Sequence, residues 1–201
     1  MGIIRVEKNF GGIEGVSLIQ PKIFGDNRGH FMETYNYRDM LEAGFDSDFV
    51  QDNQSVSMKG TLRGLHYQIH YPQAKLVRVA FGEVFDVVVD IRPDSPSLGK
   101  WVGVHLSAED GTQLLIPRGL AHGFLALSDE VVFCYKCDEY YHPNDEGGIA
   151  WNSPKLGIQW PSITGNYSGS ASSEGYSLLD GTPLCMSEKD QAFLPYEDCE
   201  R

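Results

Sequence analysis

Residues 76–91 read LVRVAFGEVFDVVVDI, two Val-rich runs on either side of Gly82 and Glu83. Short runs of β-branched and aromatic residues suit strands better than helices. The break between 76–82 and 84–91 predicts a β-hairpin. The same texture continues outward. WVGVHL (101–106) follows the turn-rich RPDSPSLGK, AEDG turns into QLLI (113–116), and PRGLAHG (117–123) predicts a loop. FLAL (124–127) and EVVFCYKC (130–137) then resume strand character around Ser128 and Asp129. Short strands spaced roughly 8–12 residues apart predict an all-β sandwich or closed barrel.

Helix is scarce. YRDMLEAGF (37–45) has Asn36 as a cap and Gly44 as a stop. A second start lies at Ser187, which with Asp190 has the S-x-x-D spacing of a capping box. Residues 161–184 hold six Ser and four Gly, and so predict an exposed, flexible loop outside the core. No internal repeat appears at solenoid or propeller periods. At 201 residues the chain suits a single domain, 1–201, long enough to bury a core.

With 16 Lys+Arg against 28 Asp+Glu, the net charge is −12. That balance disfavours non-specific binding to nucleic acid or to anionic membranes. No stretch approaches the ~18 uninterrupted apolar residues of a membrane span. The start, MGIIRVEKNFGG, lacks the apolar core of a signal peptide. A soluble, cytoplasmic protein is expected. Its four cysteines are too few for a disulfide scaffold. Cys134 and Cys137 form a CxxC, but on a strand residues three apart point to opposite faces, so both are expected to be structural thiols.

Two clusters carry chemistry. RGLHYQ places Arg63 and His66 together, with Lys75 nine residues after the histidine. Each also suits an ordinary ion pair or a satisfied core position. Gly111-x5-Pro117-x-Gly119-x2-His122 matches the second half of the cupin signature, a strand end and turn that aim a histidine into a barrel mouth. Metal-binding cupins add HxH and a glutamate as ligands. Here His66 is followed by Tyr67 and Gln68, and Pro72 argues against a helical pairing of His66 with His70. No metal is expected. FCYKCDEYYHP adds Tyr135, Tyr140 and Tyr141, suited to packing, proton donation or stacking.

Taken in order, PKIFGDNRGHFMETY, FVQDNQSVS, LRGLHYQ, KLVRVAFGEVFDVVVDIR, WVGVHLSAE, IPRGLAHGF and YYHPNDEGGIAWN resemble the dTDP-4-dehydrorhamnose 3,5-epimerase family. The likeness runs over roughly residues 13–160 and resumes at SEKD (187–190). It implies an all-β, cupin-type jelly-roll β-barrel with a few short peripheral helices, and a homodimer formed through exchanged strands. It also implies cofactor-free inversion of C3 and C5 of a nucleotide-diphosphate sugar bearing a 4-keto group, a step toward activated L-rhamnose. Within the same fold, inversion of one carbon only, or a CDP- or GDP-linked substrate, stays open. More remote readings are a metal-dependent cupin enzyme and a non-catalytic sugar-binding barrel.

By the same resemblance, His66 is the base, Asp190 fixes its tautomer, Lys75 stabilises the enolate oxygen and Tyr135 is the acid across the ring. Arg28, Glu33, Gln51, Asp52, Asn53, Arg63, His122, Glu146 and Lys189 fall on positions that hold the nucleotide sugar. The cations Arg28, Arg63 and Lys189 suit its diphosphate, and Tyr141 or Phe24 suits the base. Asp190 keeps its second reading as part of a capping box. The 161–184 stretch is longer than the family usually carries ahead of this aspartate.

Overall fold

The computed structural model describes residues 4–165 and 171–199. The chain opens with β1 (Ile4–Lys8), β2 (Ser17–Pro21), β3 (Ile23–Asp26), β4 (Gly29–Met32) and helix α1 (Tyr37–Glu42). The central strands are β5 (Gln51–Met58), β6 (Leu62–Gln68), β7 (Lys75–Phe81), β8 (Glu83–Asp90) and β9 (Trp101–Ser107). They continue as β10 (Gln113–Ile116), β11 (Leu120–Ala126), β12 (Glu130–Cys137) and β13 (Glu146–Gly148). Two short strands, β14 (Ile163–Thr164) and β15 (Ser177–Leu178), precede α2 (Glu188–Gln191).

Six strands form one sheet in the order β1-β2-β10-β7-β12-β5, and five form another in the order β13-β6-β11-β8-β9. The sheets pack face to face as a cupin-type jelly roll. Between them lie Val77 and Val79 of β7, Val84 and Val88 of β8, Leu114 and Ile116 of β10, Phe124 of β11 and Phe133 of β12. Each large side chain fully buried in such a layer contributes about 1.5–3 kcal/mol.

The predicted hairpin over 76–91 does not form. β7 pairs with β10 and β12, whereas β8 pairs with β11 and β9, so the chain changes sheets at Gly82. Gly82 has φ +76°, and a Cβ there would lie 2.3 Å from the Glu130 carbonyl oxygen. Only glycine fits that corner. The expected loop at 117–123 is also shorter. β11 begins at Leu120, which places His122 on a strand beside His66 of β6.

The five-stranded sheet is covered on both faces, which explains why β8 is buried from Val84 to Asp90. Its outer face carries Leu65, Tyr67, Phe85, Val87 and Leu125, and the chain after β13 packs over it with Trp151, Trp160, Tyr176 and Leu184. The expectation that 161–184 stays outside the core is therefore corrected. Ala171, Tyr176, Leu178 and Leu184 are buried. The Trp151 indole N–H donates to the Ala171 carbonyl at 3.1 Å, and the Trp151 and Tyr176 rings meet edge to face at 4.9 Å. A handful of apolar residues among serines is enough when each meets a tryptophan-rich surface. Residues 166–170 of that stretch lie outside the described residues.

Both predicted caps are present. Asn36 accepts from the Arg38 backbone N–H and starts α1, whose Met40 packs on Ile19, Leu76 and Leu115 of the six-stranded sheet. No helix among the described residues is long and apolar enough to cross a membrane. All four cysteines are free.

Candidate active site

β5, β6, β7, β12 and β13 open at one end of the jelly roll around a cavity of about 250 Å³, lined by Gln51, Asn53, His66, Lys75, Tyr135 and Glu146 among others. A second lobe of about 220 Å³ shares His66, Lys75, Tyr135 and Glu146 and adds Arg63, His122 and Ser55. Strand alternation selects these side chains. On β5, Gln51, Asn53 and Ser55 turn toward the cavity and the residues between them toward solvent.

His66 is anchored from behind. Its Nε2 lies 2.7 Å from Asp190 Oδ1, and the second Asp190 oxygen accepts from the Gly64 backbone N–H at 3.4 Å. A carboxylate can only accept, so Nε2 carries the hydrogen and Nδ1 is left as the basic nitrogen. Phe193 packs edge-on to the imidazole at 5.5 Å. Burial pushes the Asp190 carboxyl up, but the hydrogen bond and charge of His66 outweigh it and hold the group below the ordinary carboxylate value. Ser187 Oγ accepts from the Asp190 backbone N–H at 3.1 Å. The Asp190 backbone N–H is thus capped by Ser187 while its carboxylate lies against the His66 ring and the Gly64 N–H.

Lys75 pairs in register with Cys137, and burial lowers its ammonium pKa against the opposing pull of Cys137, Glu146 and Asp86. Burial pushes the Cys137 thiol up to about 11, so the sulfur beside Lys75 is neutral near pH 7. Burial likewise raises the Tyr135 phenol, which keeps its proton as a donor needs to. Glu146 joins three neighbours: it accepts from Lys189 Nζ at 2.8 Å and from Tyr141 Oη at 2.7 Å, and lies 4.0 Å from His66 Nε2. Burial raises its pKa, but Lys189 and Tyr141 more than offset that and keep it low.

Three expected binding residues are not brought to this cavity. Asp52 sits on the opposite face of β5 from Gln51 and Asn53, paired with Lys136 at 2.8 Å. Arg28, at the tip of the β3–β4 hairpin, is ion-paired with Asp26 and 85% exposed. Glu33 follows that hairpin and contacts Asn36. Phe24 is on the same hairpin under Lys22, whereas Tyr141 is at the cavity. Some residues had no signal in sequence. Asp86, buried mid-strand in a Val run, holds His122 Nε2 at 2.9 Å. Ser55 contributes a buried hydroxyl with no partner among the described residues. Among those residues no three His, Cys, Asp or Glu side chains are grouped to hold a metal ion.

A base backed by a carboxylate, an ammonium and a phenol around one cavity suit removal and return of a proton at carbon next to a carbonyl. A family model described as dTDP-4-dehydrorhamnose 3,5-epimerase matches residues 11–198. The chain belongs to that family. It is similar to the dTDP-4-dehydrorhamnose 3,5-epimerase of Pseudomonas aeruginosa, with 53% identity over 189 residues and 94% of each chain covered. The enzyme of the same name from Methanothermobacter thermautotrophicus is 52% identical over 186 residues, covering 92% of each chain. Among solved structures, the epimerase RmlC of Legionella pneumophila in complex with dTDP-4-keto-L-rhamnose superposes with a TM-score of 0.85 at 43% identity. That superposition covers 98% of this chain and 94% of that one. Epimerase chemistry and the jelly roll thus agree with the sequence reading.

Proposed function

We propose that this epimerase inverts C3 and C5 of dTDP-4-dehydro-6-deoxy-D-glucose, yielding dTDP-4-dehydro-L-rhamnose for activated L-rhamnose synthesis. The observation that carries the reading is the His66–Asp190 pair facing the same cavity as Lys75 and Tyr135. The C4 ketone acidifies the C–H bonds at C3 and C5. His66 takes the proton, the C–H electron pair moves into the ring, and the carbonyl oxygen becomes an enolate beside the Lys75 ammonium. Tyr135 returns a proton to the opposite face and the ketone re-forms; His66 then releases its proton to solvent, Tyr135 takes one up, and the chemistry repeats at the other carbon. No electrons are gained or lost, so the cycle needs no redox cofactor.

Cations at the cavity suit the diphosphate despite the net charge of −12: Arg63 lines one lobe, and Lys189 reaches its edge through Glu146. Among the described residues the β3–β4 hairpin pairs only with itself, and it exposes Phe24 and Phe31. In a cytoplasmic homodimer such an arm lends Arg28 and Glu33 to the neighbouring cavity, which gives those two residues a binding role that their own cavity does not. Light scattering of the purified protein checks the dimer.

The deciding experiment is proton NMR of dTDP-4-dehydro-6-deoxy-D-glucose with the protein in D₂O. Loss of both H3 and H5 signals is expected. Loss of one alone makes it a single-carbon epimerase, and loss of neither overturns the reading in favour of a CDP- or GDP-linked sugar or a binding role.

A further inference from the structure

The mouth of the cavity is rimmed by two loops, residues 69–74 after β6 and 138–145 after β12, and one buried side chain from each side ties them together. Gln68 closes β6. Its Nε2 donates to the carbonyls of Tyr71 at 2.6 Å and Tyr140 at 3.2 Å, and its Oε1 accepts from the His142 backbone N–H at 2.6 Å. Asp145 answers from the opposite loop. Its carboxylate accepts from the backbone N–H groups of His70 and Tyr71, at 3.0 and 2.9 Å, and from His70 Nδ1 at 2.7 Å. Joined this way, the Tyr71 and His142 rings stack with centroids 4.1 Å apart. Tyr141, on the same loop, donates its N–H to Gln51 and its hydroxyl to Glu146.

We propose that Gln68 is a positioning residue for substrate capture: its amide, answered by Asp145, sets the rim so that Tyr141 and Glu146 stand in place before the substrate arrives. The assignment rests on the epimerase reading above. Although Gln68 borders the cavity, both Nε2 hydrogens and the Oε1 acceptor go to rim backbone groups. Only a side-chain amide of this length supplies two donors and an acceptor in one plane. Glutamate turns an anion toward two carbonyls, and methionine satisfies none of the three. The reacting groups do not depend on the rim, because His66, Lys75 and Tyr135 stand on β6, β7 and β12. A loosened rim must instead be ordered each time substrate binds, and that cost falls on capture.

The test is steady-state epimerisation of dTDP-4-dehydro-6-deoxy-D-glucose by wild type, Gln68→Glu and Asp145→Asn, with thermal unfolding of each. The expected result is a KM raised about tenfold in Gln68→Glu and about threefold in Asp145→Asn, with kcat falling by less than about threefold. A variant that is less heat-stable but keeps its KM makes the clasp merely structural and overturns the proposal. A fall in kcat at unchanged KM overturns it too. Failure of both variants to fold counts against it as well, since it moves the pair from the rim to the folding core. A wild type that exchanges neither H3 nor H5 fails the functional reading instead, so the two failures are distinct.

Discussion

Asp190 Oδ1 reaches His66 Nε2 at 2.7 Å across 124 residues of chain. In a closed capping box the carboxylate at the third helical position turns back to the cap's own N–H. Here the Ser187 half of the box is made, and the carboxylate spans instead to His66 and to the Gly64 N–H. Asp190 thus has its backbone N–H held by the Ser187 cap and its carboxylate against the histidine that we propose as the base.

Asp190→Asn keeps the shape but presents an amide whose NH₂ can donate to the imidazole and so favours the wrong tautomer. A loss of about 10²–10⁴-fold in kcat is expected, with the dissociation constant for dTDP changed less than about threefold. Calorimetric titration with dTDP beside the kinetics checks both. Weakened dTDP binding with normal turnover would remove Asp190 from the positioning role.

The Lys75 ammonium stabilises an enolate only when protonated, and burial lowers its pKa from the ordinary 10.5. The Lys75 contribution is therefore complete below that lowered value and lost as pH rises through it. Tyr135 is shifted upward from 10.0 and keeps its proton through the same window. The alkaline limb of kcat should lie below 10.5 in wild type and disappear in Lys75→Arg, whose guanidinium stays charged. Lys75→Met should lose about 10²–10³-fold at neutral pH.

Tyr135→Phe removes the proposed acid and leaves the base. Proton abstraction and return on the same face should persist, so H3 and H5 still exchange with D₂O while inverted product falls by about 10²-fold or more. Normal inversion in this variant would assign the acid elsewhere.

Asp90 tests the scaffold. Burial raises its carboxyl pKa, but hydrogen bonds from Arg92, Ser95 and Ser97 outweigh this and hold it well below the usual range. A depressed carboxylate contributes stability that is complete above its unfolded pKa of about 3.9 and lost as pH falls below it. Asp90→Asn should cost about 3 kcal/mol at pH 7, with a smaller gap from wild type at pH 3. Urea unfolding at the two pH values measures this, and an equal gap at both would contradict the linkage.

Strand texture was legible because β-branched runs and turn residues act locally. QLLI at 113–116 and EVVFCYKC at 130–137 are strands with those bounds. Both helix starts were equally plain, since a cap needs only neighbouring residues. The hairpin at 76–91 failed because Val-rich strands pair equally well with many partners, and partner choice follows from which faces must be covered. The loop at 161–184 was misread for a related reason: its few apolar residues gain their burial from Trp151 and Trp160, invisible in local composition.

By itself the sequence determined the strand-rich class, the capped helix starts and the presence of a histidine, a lysine and a phenol in or beside strand-like runs; that the three meet across two sheets was decided by the tertiary structure. That Asp52 and Asn53 face opposite sides of the chain became visible only once residues 51–58 were seen to form β5. Tertiary structure alone decided that β7 and β8 lie in different sheets, that Asp86 answers His122 and that Gln68 ties two loops into one rim. Side-chain direction along a strand is a local property of the backbone. Hydrogen-bond partners and burial depend on segments distant in sequence, and they take shape only when both faces of a sheet are covered.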